Sequence, residues 1–377
     1  MSRTPLNAFC ALTMGQSPDS ESYNIEHNGF PFYQGNADFG RIHPMVRVWC
    51  SAPKKLAKAG DILISVRAPI GALNIADCDC CIGRGLAAIT PDATCADTMF
   101  LFYALYASAA ELQRRGTGST FKAISKNALS NLLLPSYCLE EQKEISAVLQ
   151  QVDHLISLRQ RQAEKLDELV KARFVEMFGD PVLNCQGFPV RTIGELTTEV
   201  KYGTSKPAVE GGKYPYLRMN NLTIDGKLDL HDLKQIDVDT SEFEKCVVRK
   251  GDVLFNRTNS AELVGKTAYY GLDEEMIIAG YIIRVRVNNL ILPQYLSFYM
   301  NMPFMKQRIR SMAKGAVNQA NINSKELKSI KVIVPPLEVQ GKVVEYEERI
   351  DREKDRIQRS AALLETLKRS LMQQYFG

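Results

Sequence analysis

Two segments of the chain, residues 140–178 and 338–376, place apolar side chains at alternating three- and four-residue spacing and contain no proline. This spacing predicts two helices, each roughly 55 Å long at 1.5 Å per residue. A helix packed along its own domain would show the same stripe, but pairing the two long helices with each other buries both stripes at once. The residues predicted to form this seam are Ile145, Leu149, Val152, Ile156, Leu166, Val170, Val343, Ile350, Ile357, Leu364 and Leu371.

Each helical segment follows roughly 140–150 residues of mixed pattern. GDILISV, beginning at Gly60, and GDVLFNR, beginning at Gly251, predict apolar strands that each follow an acidic turn. The residue patterns at 97–115 and 293–314 predict helices. LSNLLLP and LKSIKVIVPP predict a strand that closes each globular part.

Six short patterns occur twice in the same order, which predicts an internal repeat. The separations between partners are 188, 191, 196, 198, 198 and 198 residues, so they converge on a constant value. We therefore predict an α+β protein in which two similar globular α/β domains, separated by two long helices in an antiparallel coiled coil, form a pseudo-two-fold repeat. The predicted boundaries are 1–138 and 187–335 for the domains, and 139–180 and 336–377 for the helices.

Composition narrows the class of protein. The 377 residues are 45% hydrophobic and 24% charged, as in globular proteins, with a net charge of +4. The two helical segments together carry 14 basic and 16 acidic residues, so the basic excess lies on the globular parts. No secretion signal or membrane span is recognised, and nine scattered cysteines favour reduced thiols in the cytoplasm.

No pattern in the chain predicts catalysis. The four histidines have no paired metal-ligand spacing, and Gly265-Lys266-Thr267 lacks the earlier glycine of a phosphate-binding loop. Cys78, Cys80 and Cys81 lie on one extended segment, where alternate thiols point to opposite faces and suit a tetrahedral metal poorly. We therefore expect a binding or scaffolding protein with no metal, no cofactor and no catalytic residue of its own.

The motifs resemble those of the specificity subunits of type I restriction-modification enzymes. MGQSPDSESYN, GDILISVRAPIGALNIA and GSTFKAISKNALSNLLLP resemble one common class of target recognition domain. YPYLRMNNL, GDVLFNRTNS and AGYIIRVRVN resemble another class. The sequence Pro-Ser-Tyr-Cys-Leu at residues 135–139 departs from the Pro-Pro-Leu kept at 335–337, which affects the approach to the first helix.

The resemblance implies a function. Each globular part would be a target recognition domain that reads one half of a split, asymmetric site in double-stranded DNA. The helices would act as spacers and bind two modification (methyltransferase) subunits, and restriction subunits would join that assembly. The chain itself would be non-catalytic and would have no membrane partner.

Side chains that read bases or contact phosphates are arginine, lysine, asparagine, glutamine and hydroxyl groups. Turns, helix caps and surface ion pairs use the same residue types, so each candidate also has a structural interpretation. In the first domain the candidates are Gln16, Ser17, Arg67, Arg84, Thr117, Ser119, Thr120 and Lys122. In the second, with Arg257 taken as the repeat partner of Arg67, they are Thr204, Ser205, Lys206, Arg218, Asn220, Asn221, Arg257, Asn259, Asn318, Gln319 and Asn321.

Three alternatives remain open at the level of sequence. A self-contained nuclease or methyltransferase is opposed by the missing catalytic motifs. A coiled-coil scaffold without DNA is opposed weakly by the basic globular parts. A specificity subunit of a combined restriction-methylation enzyme outside type I would have the same sequence features.

Overall fold

The two predicted long helices are present over Leu139–Phe178 and Leu337–Phe376 in a computed structural model of the chain. The structure describes residues 2–117, 122–179, 184–316 and 319–377. The chain forms two compact units, Met1–Arg161 with Gln358–Gly377, and Gln162–Ile357. Each unit therefore contains one globular domain and a part of both long helices.

The first domain is built from short strands followed by three helices and the first long helix. Its strands are β1 Arg3–Pro5, β2 Cys10–Met14, β3 Tyr23–Asn24, β4 Phe30–Tyr33, β5 Trp49–Cys50, β6 Leu56–Ala57, β7 Ile62–Ser65, β8 Leu73–Ile75, β9 Cys80–Ile82, β10 Leu86–Pro91 and β11 Leu133–Pro135. Its helices are α1 Thr98–Ala107, α2 Ala109–Arg115, α3 Lys126–Ser130 and α4 Leu139–Phe178, the first long helix.

The second domain repeats this plan. Its strands are β12 Val190–Thr192, β13 Thr197–Tyr202, β14 Tyr214–Leu217, β15 Lys234–Ile236, β16 Val247–Val248, β17 Val253–Asn256, β18 Thr258–Asn259, β19 Thr267–Tyr269, β20 Met276–Ile278, β21 Ile282–Val287, β22 Lys314–Ala316, β23 Gln319–Asn321 and β24 Lys331–Ile333. Its helices are α5 Thr240–Cys246, α6 Pro293–Asn301, α7 Pro303–Met312, α8 Ser324–Ser329 and α9 Leu337–Phe376, the second long helix.

Equivalent strands pair in the same order in the two domains. The sheet β2-β10-β7-β8 corresponds to β13-β21-β17-β19, and both are antiparallel. A second sheet in each domain contains a parallel pair, β4 with β9 and β14 with β20. The first strand of each domain pairs with its last, β1 with β11 and β12 with β24. The predicted helices at 97–115 and 293–314 are each divided into two, at Ser108 and at Met302.

The Gly-Asp turns confirm the predicted strand starts and explain their residue types. Gly60 and Gly251 have φ of 88° and 99°, a conformation that a side chain disfavours. The following carboxylates, Asp61 and Asp252, are buried and accept the backbone N–H of the residue three positions earlier, at 2.9 and 2.8 Å. Each turn therefore fixes the entry of the central strand that follows it.

A fully buried glutamine attaches each domain to the start of its long helix. The Gln142 side chain accepts from Asp97 N at 2.9 Å and donates to the carbonyls of Cys95 and Tyr137 at 3.0 Å. In the second domain Gln340 accepts from Leu292 N at 2.8 Å and donates to the carbonyls of Leu290 and Pro335. The repeated Leu-Glu-x-Gln motif is thus a structural joint, because a neutral side chain with both donors and an acceptor satisfies three backbone groups at once.

Inside each unit, segments of the two long helices contact each other in antiparallel order. In the first unit Asp153 pairs with Lys368 at 2.6 Å, and Arg159 Nε donates to Ser360 Oγ at 3.2 Å. In the second unit Asp167 pairs with Lys354, and the Arg173 guanidinium lies 5.9 Å from the Tyr346 ring centroid.

Each long helix has aromatic residues at its carboxyl end, and these residues pack in a globular core. Phe174 and Phe178, at the end of the first helix, belong to the core of the second unit and lie near Phe298 and Tyr295. Phe376, at the end of the second helix, belongs to the core of the first unit.

Some of the predicted seam residues belong to a globular core, and the others lie elsewhere along the apolar stripe of their helix. Ile145, Leu149 and Leu371 pack in the core of the first unit, and Val170 and Val343 pack in that of the second. The stripe at the helix ends thus packs against globular domains as well as the facing helix. The remaining predicted seam residues are buried (Val152, Ile156 and Ile350) or half-buried (Leu166, Ile357 and Leu364).

Replacing Phe178 with alanine should destabilise the second unit strongly. Its ring is fully buried, so Phe178→Ala removes apolar contacts and leaves a cavity, at a cost of about 3–5 kcal/mol. Urea denaturation measures the change. Val175→Ala, on an exposed side chain three residues earlier, is the matched control and should change stability by less than about 1 kcal/mol. Equal effects of the two variants would contradict the anchoring role of Phe178.

Glu347 should make stability fall as pH rises. Burial in the helix pair, reinforced by the nearby Asp351 carboxylate, raises the pKa of Glu347 from 4.5 to about 8. A raised carboxyl pKa stabilises the fold below the unfolded value and loses that contribution as pH rises through the folded value. Glu347→Gln should therefore gain on the order of 1 kcal/mol over wild type between about pH 5 and pH 9. The exposed Glu345→Gln serves as control in the same denaturation series, and parallel curves for all three proteins would refute the assignment.

Candidate nucleic-acid interface

In the first domain, a chain of backbone contacts gathers most of the predicted residues at one edge. Gln16 N donates to Ile82 O at 3.0 Å, and Ser17 Oγ accepts from Arg84 N at 3.2 Å. Val66 N donates to Gly85 O at 2.9 Å, which joins the Arg84 loop to the end of β7. Ala123 then forms bridges with both Arg67 and Thr117.

This edge of the first domain is exposed and basic. The side chains of Gln16, Arg67, Arg84, Thr117 and Lys122 are exposed, and Ser17 is half-buried. Within the described ranges, none of the three cations of this set, Arg67, Arg84 and Lys122, forms an ion pair; Arg84 Nε donates to Ser17 Oγ at 3.4 Å. Exposed cations without acidic partners are available to bind an anion.

The second domain forms the equivalent edge with the same backbone contacts. Thr204 N donates to Ile278 O at 2.9 Å, as Gln16 N does to Ile82 O. Arg257 N donates to Tyr281 O, and Ile322 N donates to Arg257 O, both at 2.9 Å. Strand β18 pairs with β23, which places Asn259 opposite Ala320 and Thr258 opposite Asn321.

The cations of the second edge are held differently. The Arg257 guanidinium lies over the Tyr202 ring at 4.9 Å, and its buried Nε has no hydrogen-bond partner among the described atoms. Lys206 pairs with Glu242, whose carboxylate raises the pKa of Lys206. Arg218 pairs with Asp232 at 2.8 Å. Arg257 is thus the half-buried cation that an aromatic ring, rather than an acid, orients.

Thr204 and Asn221 do not fit the predicted role of direct DNA contact, because both side chains are buried. Thr204 Oγ1 donates to Glu242 and accepts from Lys206 N at 3.1 Å. Asn221 Oδ1 accepts from Arg218 N and Asn221 Nδ2 donates to Asp229 O, both at 2.8 Å. These two residues hold the loops that carry their exposed neighbours Ser205 and Asn220.

The predicted equivalence of Arg67 and Arg257 is wrong by one residue. Ile124 N donates to Val66 O, and its repeat partner Ile322 N donates to Arg257 O. Val66 is therefore the positional equivalent of Arg257, and Arg67 is that of Thr258. The two arginines therefore occupy neighbouring positions of the same backbone frame and not the same position.

The other predicted residues are placed as follows. Asn259 is half-buried and donates to Asn256 Oδ1 at 2.8 Å, Gln319 is exposed, and Asn321 accepts from Thr258 Oγ1 at 3.3 Å. Ser119, Thr120 and Asn318 lie outside the described residues.

Two exposed tyrosines beside Arg257 were missed by the sequence analysis. Tyr202 is 40% exposed, and its hydroxyl accepts from Ser324 N at 2.8 Å. Tyr281 is 49% exposed and accepts the Arg257 backbone N–H. The repeat motif that begins at Tyr202 could have pointed to this residue. No pattern marks Tyr281, because only the fold brings it beside Arg257.

The cysteines are free thiols, and burial raises the pKa of Cys81 to about 12. Over the ranges that the structure describes, no group of three or more histidine, cysteine, aspartate or glutamate side chains could hold a metal ion. Those ranges also contain no helix with the length and apolar character needed to span a membrane.

Comparison with known proteins identifies the family that these features belong to. A family model described as "Type I restriction modification DNA specificity domain" matches residues 6–168 and again 187–368. A putative type I restriction enzyme MjaX specificity subunit from Methanocaldococcus jannaschii is 43% identical over 163 residues, which are 43% of this chain and 38% of that protein. The EcoKI specificity subunit from Escherichia coli is 27% identical over 168 residues, 44% of this chain and 36% of that protein. The chain thus spans less than two fifths of the length of either relative in these matches.

Solved structures share the fold over almost the whole chain. The S subunit of a type I restriction-modification system from M. genitalium is 17% identical, with a TM-score of 0.62 over 100% of this chain and 96% of that chain. A structure reported for the complex assembly and conformational transition of a type I R-M system is 18% identical, with a TM-score of 0.64 over 99% of this chain and 97% of that chain.

Proposed function

The chain belongs to the type I restriction-modification DNA specificity domain family, and on that premise we propose that it is the DNA-recognition subunit of such a system. Each target recognition domain reads one half of a bipartite, asymmetric site in double-stranded DNA. Residues 1–138 and 187–335 form the two recognition domains, and residues 139–180 and 336–377 form the spacers between them.

The observation that carries this proposal is the pair of equivalent edges. The same backbone hydrogen bonds build both edges, but their side chains differ: exposed Gln16 in the first domain takes the place of buried Thr204 in the second. Duplex DNA has an approximate two-fold symmetry, so two similar domains can each read a half-site on opposite strands. Different side chains on equivalent frames then read different half-sites, so the complete site is not a palindrome.

The chemistry of the edges suits a nucleic-acid ligand. Arg67, Arg84 and Lys122 are exposed cations that can neutralise phosphates or donate to guanine. Gln16, Asn220 and Gln319 are exposed amides, the side chains that pair with adenine. In the second domain Arg257 is oriented by the Tyr202 ring, which reduces the entropy lost when its planar guanidinium engages a base or a phosphate.

The long helices act in this proposal as an antiparallel coiled coil that spaces the domains and binds two modification subunits, with restriction subunits joining that assembly. The ion pairs Asp153–Lys368 and Asp167–Lys354 support the antiparallel order. Exposed apolar side chains on the first long helix, including Leu155 and Leu169, remain available for a partner.

The isolated chain should neither methylate nor cleave DNA, because it supplies recognition and not chemistry. The purified chain is incubated with DNA and S-adenosylmethionine, and methylated adenines are then mapped by sequencing. The same chain with its modification subunits should methylate adenines at one sequence made of two different halves separated by a fixed gap. Methylation or cleavage that co-purifies with the isolated chain at constant specific activity would contradict the proposal, as would a complex without a bipartite site.

Arg67→Ala and Arg257→Ala should each weaken recognition of one half-site only. A base-reading arginine contributes about 1–3 kcal/mol, so methylation by the complex should fall roughly 5- to 150-fold and relax at one base position. Arg257→Lys keeps the charge but loses the planar fork and should not restore specificity.

Arg3→Ala and Arg191→Ala are the matched controls, because these arginines occupy the equivalent edge strands β1 and β12. Both should methylate the site as wild type does. If an Arg67 or Arg257 variant lost affinity for all DNA sequences equally, that arginine would be a phosphate contact and not a base reader.

A further inference from the structure

Each recognition domain has a distal part whose apolar core is separate from the core that includes the long helices. In the first domain the sheet β3-β5-β4-β9-β6 contributes Tyr33 and Ile82 to a separate cluster. In the second domain the sheet β15-β14-β20-β16 contributes Tyr216 and Ile277 to another separate cluster. These distal sheets lead into Arg84 and Arg218, so their orientation sets where part of each DNA-reading edge lies.

The loop that follows β4 reaches from the distal part of the first domain to its long helix. Arg41 Nη1 donates to Ser157 Oγ, and Ser157 is buried on that helix. Buried Asn74 fixes this loop to the domain, because its side chain accepts from Gly40 N at 3.0 Å and donates to Gly40 O at 3.1 Å. A further bond, Ile75 N to Ile42 O at 2.7 Å, ties the loop to the end of β8.

The loop that follows the equivalent strand β14 does the same in the second domain. Lys227 Nζ lies 2.9 Å from Asp351 Oδ1 on the second long helix, and both side chains are only partly exposed. The turn before it is closed by Thr223, which donates from N and Oγ1 to Lys227 O and accepts from Lys227 N at 2.8 Å. Gly226, with φ of 88°, lies so close to Asn301 that a Cβ would approach its Nδ2 to 2.3 Å.

Charge explains why a cation is needed at the second contact. The carboxyl groups of Glu347, Asp351 and Asp355 are spaced four residues apart on one face of the second long helix, and their mutual repulsion when ionised favours a nearby cation. Lys227, together with Lys354, lowers the pKa of Glu347 against the effects of burial and Asp351. In the first domain the sequence equivalent of Asp351 is Asp153, whose carboxylate already binds the Tyr103 hydroxyl and the Lys368 ammonium group. The loop cation Arg41 instead contacts Ser157, one helical turn further along.

Each domain is thus attached to its helix at two levels. Gln142 and Gln340 hold the helix start, and the loop cations hold positions 18 and 14 residues further along, counted from Leu139 and Leu337. These positions correspond to roughly 27 and 21 Å of helix. A tilt of about 10° at the helix start would displace a point about 20 Å away by roughly 3.5 Å, the rise of one base pair. A second contact that prevents such a tilt would therefore hold the domain in place to within about the rise of one base pair.

On the basis of the proposed function, we propose that Arg41 and Lys227 are positioning residues that lock each recognition domain to its own long helix and so determine how strictly the gap between the half-sites is measured. They contact no base in this role. Their loss leaves both half-sites unchanged and broadens the range of gaps that the complex accepts.

The experiment uses the full chain in complex with its modification subunits. Methylated-adenine mapping of the wild-type complex defines the site, and duplexes are then made with the gap lengthened or shortened by one base pair. Lys227→Met keeps the apolar stem and removes the charge. Methylation of the altered-gap duplexes, relative to the cognate duplex, should rise about two- to fivefold, as the loss of a partly exposed ion pair allows. Arg41→Met should act in the same direction.

Further variants separate positioning from a loss of stability. Lys250→Met breaks an exposed ion pair with Asp273 in the same domain and should keep wild-type gap selectivity. Asp351→Asn should reproduce the Lys227→Met effect with an isosteric change if Lys227→Met folds poorly. The exchanged pair Lys227→Glu with Asp351→Lys should restore selectivity, which a general loss of stability would not allow.

The outcomes distinguish this proposal from the one on which it rests. A wild-type complex that methylates every gap equally, or no bipartite site, would overturn the proposed function and this inference together. A gap-selective wild type with equally selective Lys227→Met and Asp351→Asn variants would overturn the positioning role alone.

Discussion

The fold depends on burying two apolar helix stripes that are far longer than either globular domain requires. Each stripe is used twice: Ile145 and Leu149 pack in the core of the first unit, whereas Phe174 and Phe178 of the same helix pack in the core of the second. The second long helix does the reverse, with Val343 in one core and Phe376 in the other. Each core is therefore completed by residues from both halves of the chain, and neither half supplies a full set of its own packing partners.

On this shared framework, the two domains keep their backbone hydrogen bonds and differ in their side chains. The Gly-Asp turns, the buried glutamines and the order of the central sheet recur, because each satisfies backbone groups that have no other partner. The exposed side chains of the two edges are not needed to satisfy backbone groups in this way, so they can differ between the domains. This division explains how one fold can hold Arg67, Arg84 and Lys122 on one domain and an arginine stacked on tyrosine on the other.

The sequence predicted what depends on local pattern. The long helices follow from heptad spacing, the central strands follow from the Gly-Asp turn, and the repeat follows from motif order. Sequence could not predict that Thr204 and Asn221 are buried, because their partners Glu242 and Asp229 come from other segments of the chain. The one-residue shift between Arg67 and Arg257, by contrast, could be read from the sequence, because the 191-residue separation of Gly60 and Gly251 aligns Arg67 with Thr258. The bonds from Ile124 and Ile322 agree with that alignment.

The pairing of first and last strands has an evolutionary consequence. Because β1 pairs with β11 and β12 pairs with β24, the chain enters and leaves each domain at neighbouring points. The segment between those points can be replaced while both long helices stay unchanged, provided that the replacement keeps the apolar contacts to Phe376 in the first domain or to Phe174 and Phe178 in the second. Homologous recombination within the helical segments, or within the short strands themselves, would therefore generate chains with new pairs of domains in a single event. Diversification could proceed by shuffling intact modules, faster than by accumulating point substitutions on a shared framework.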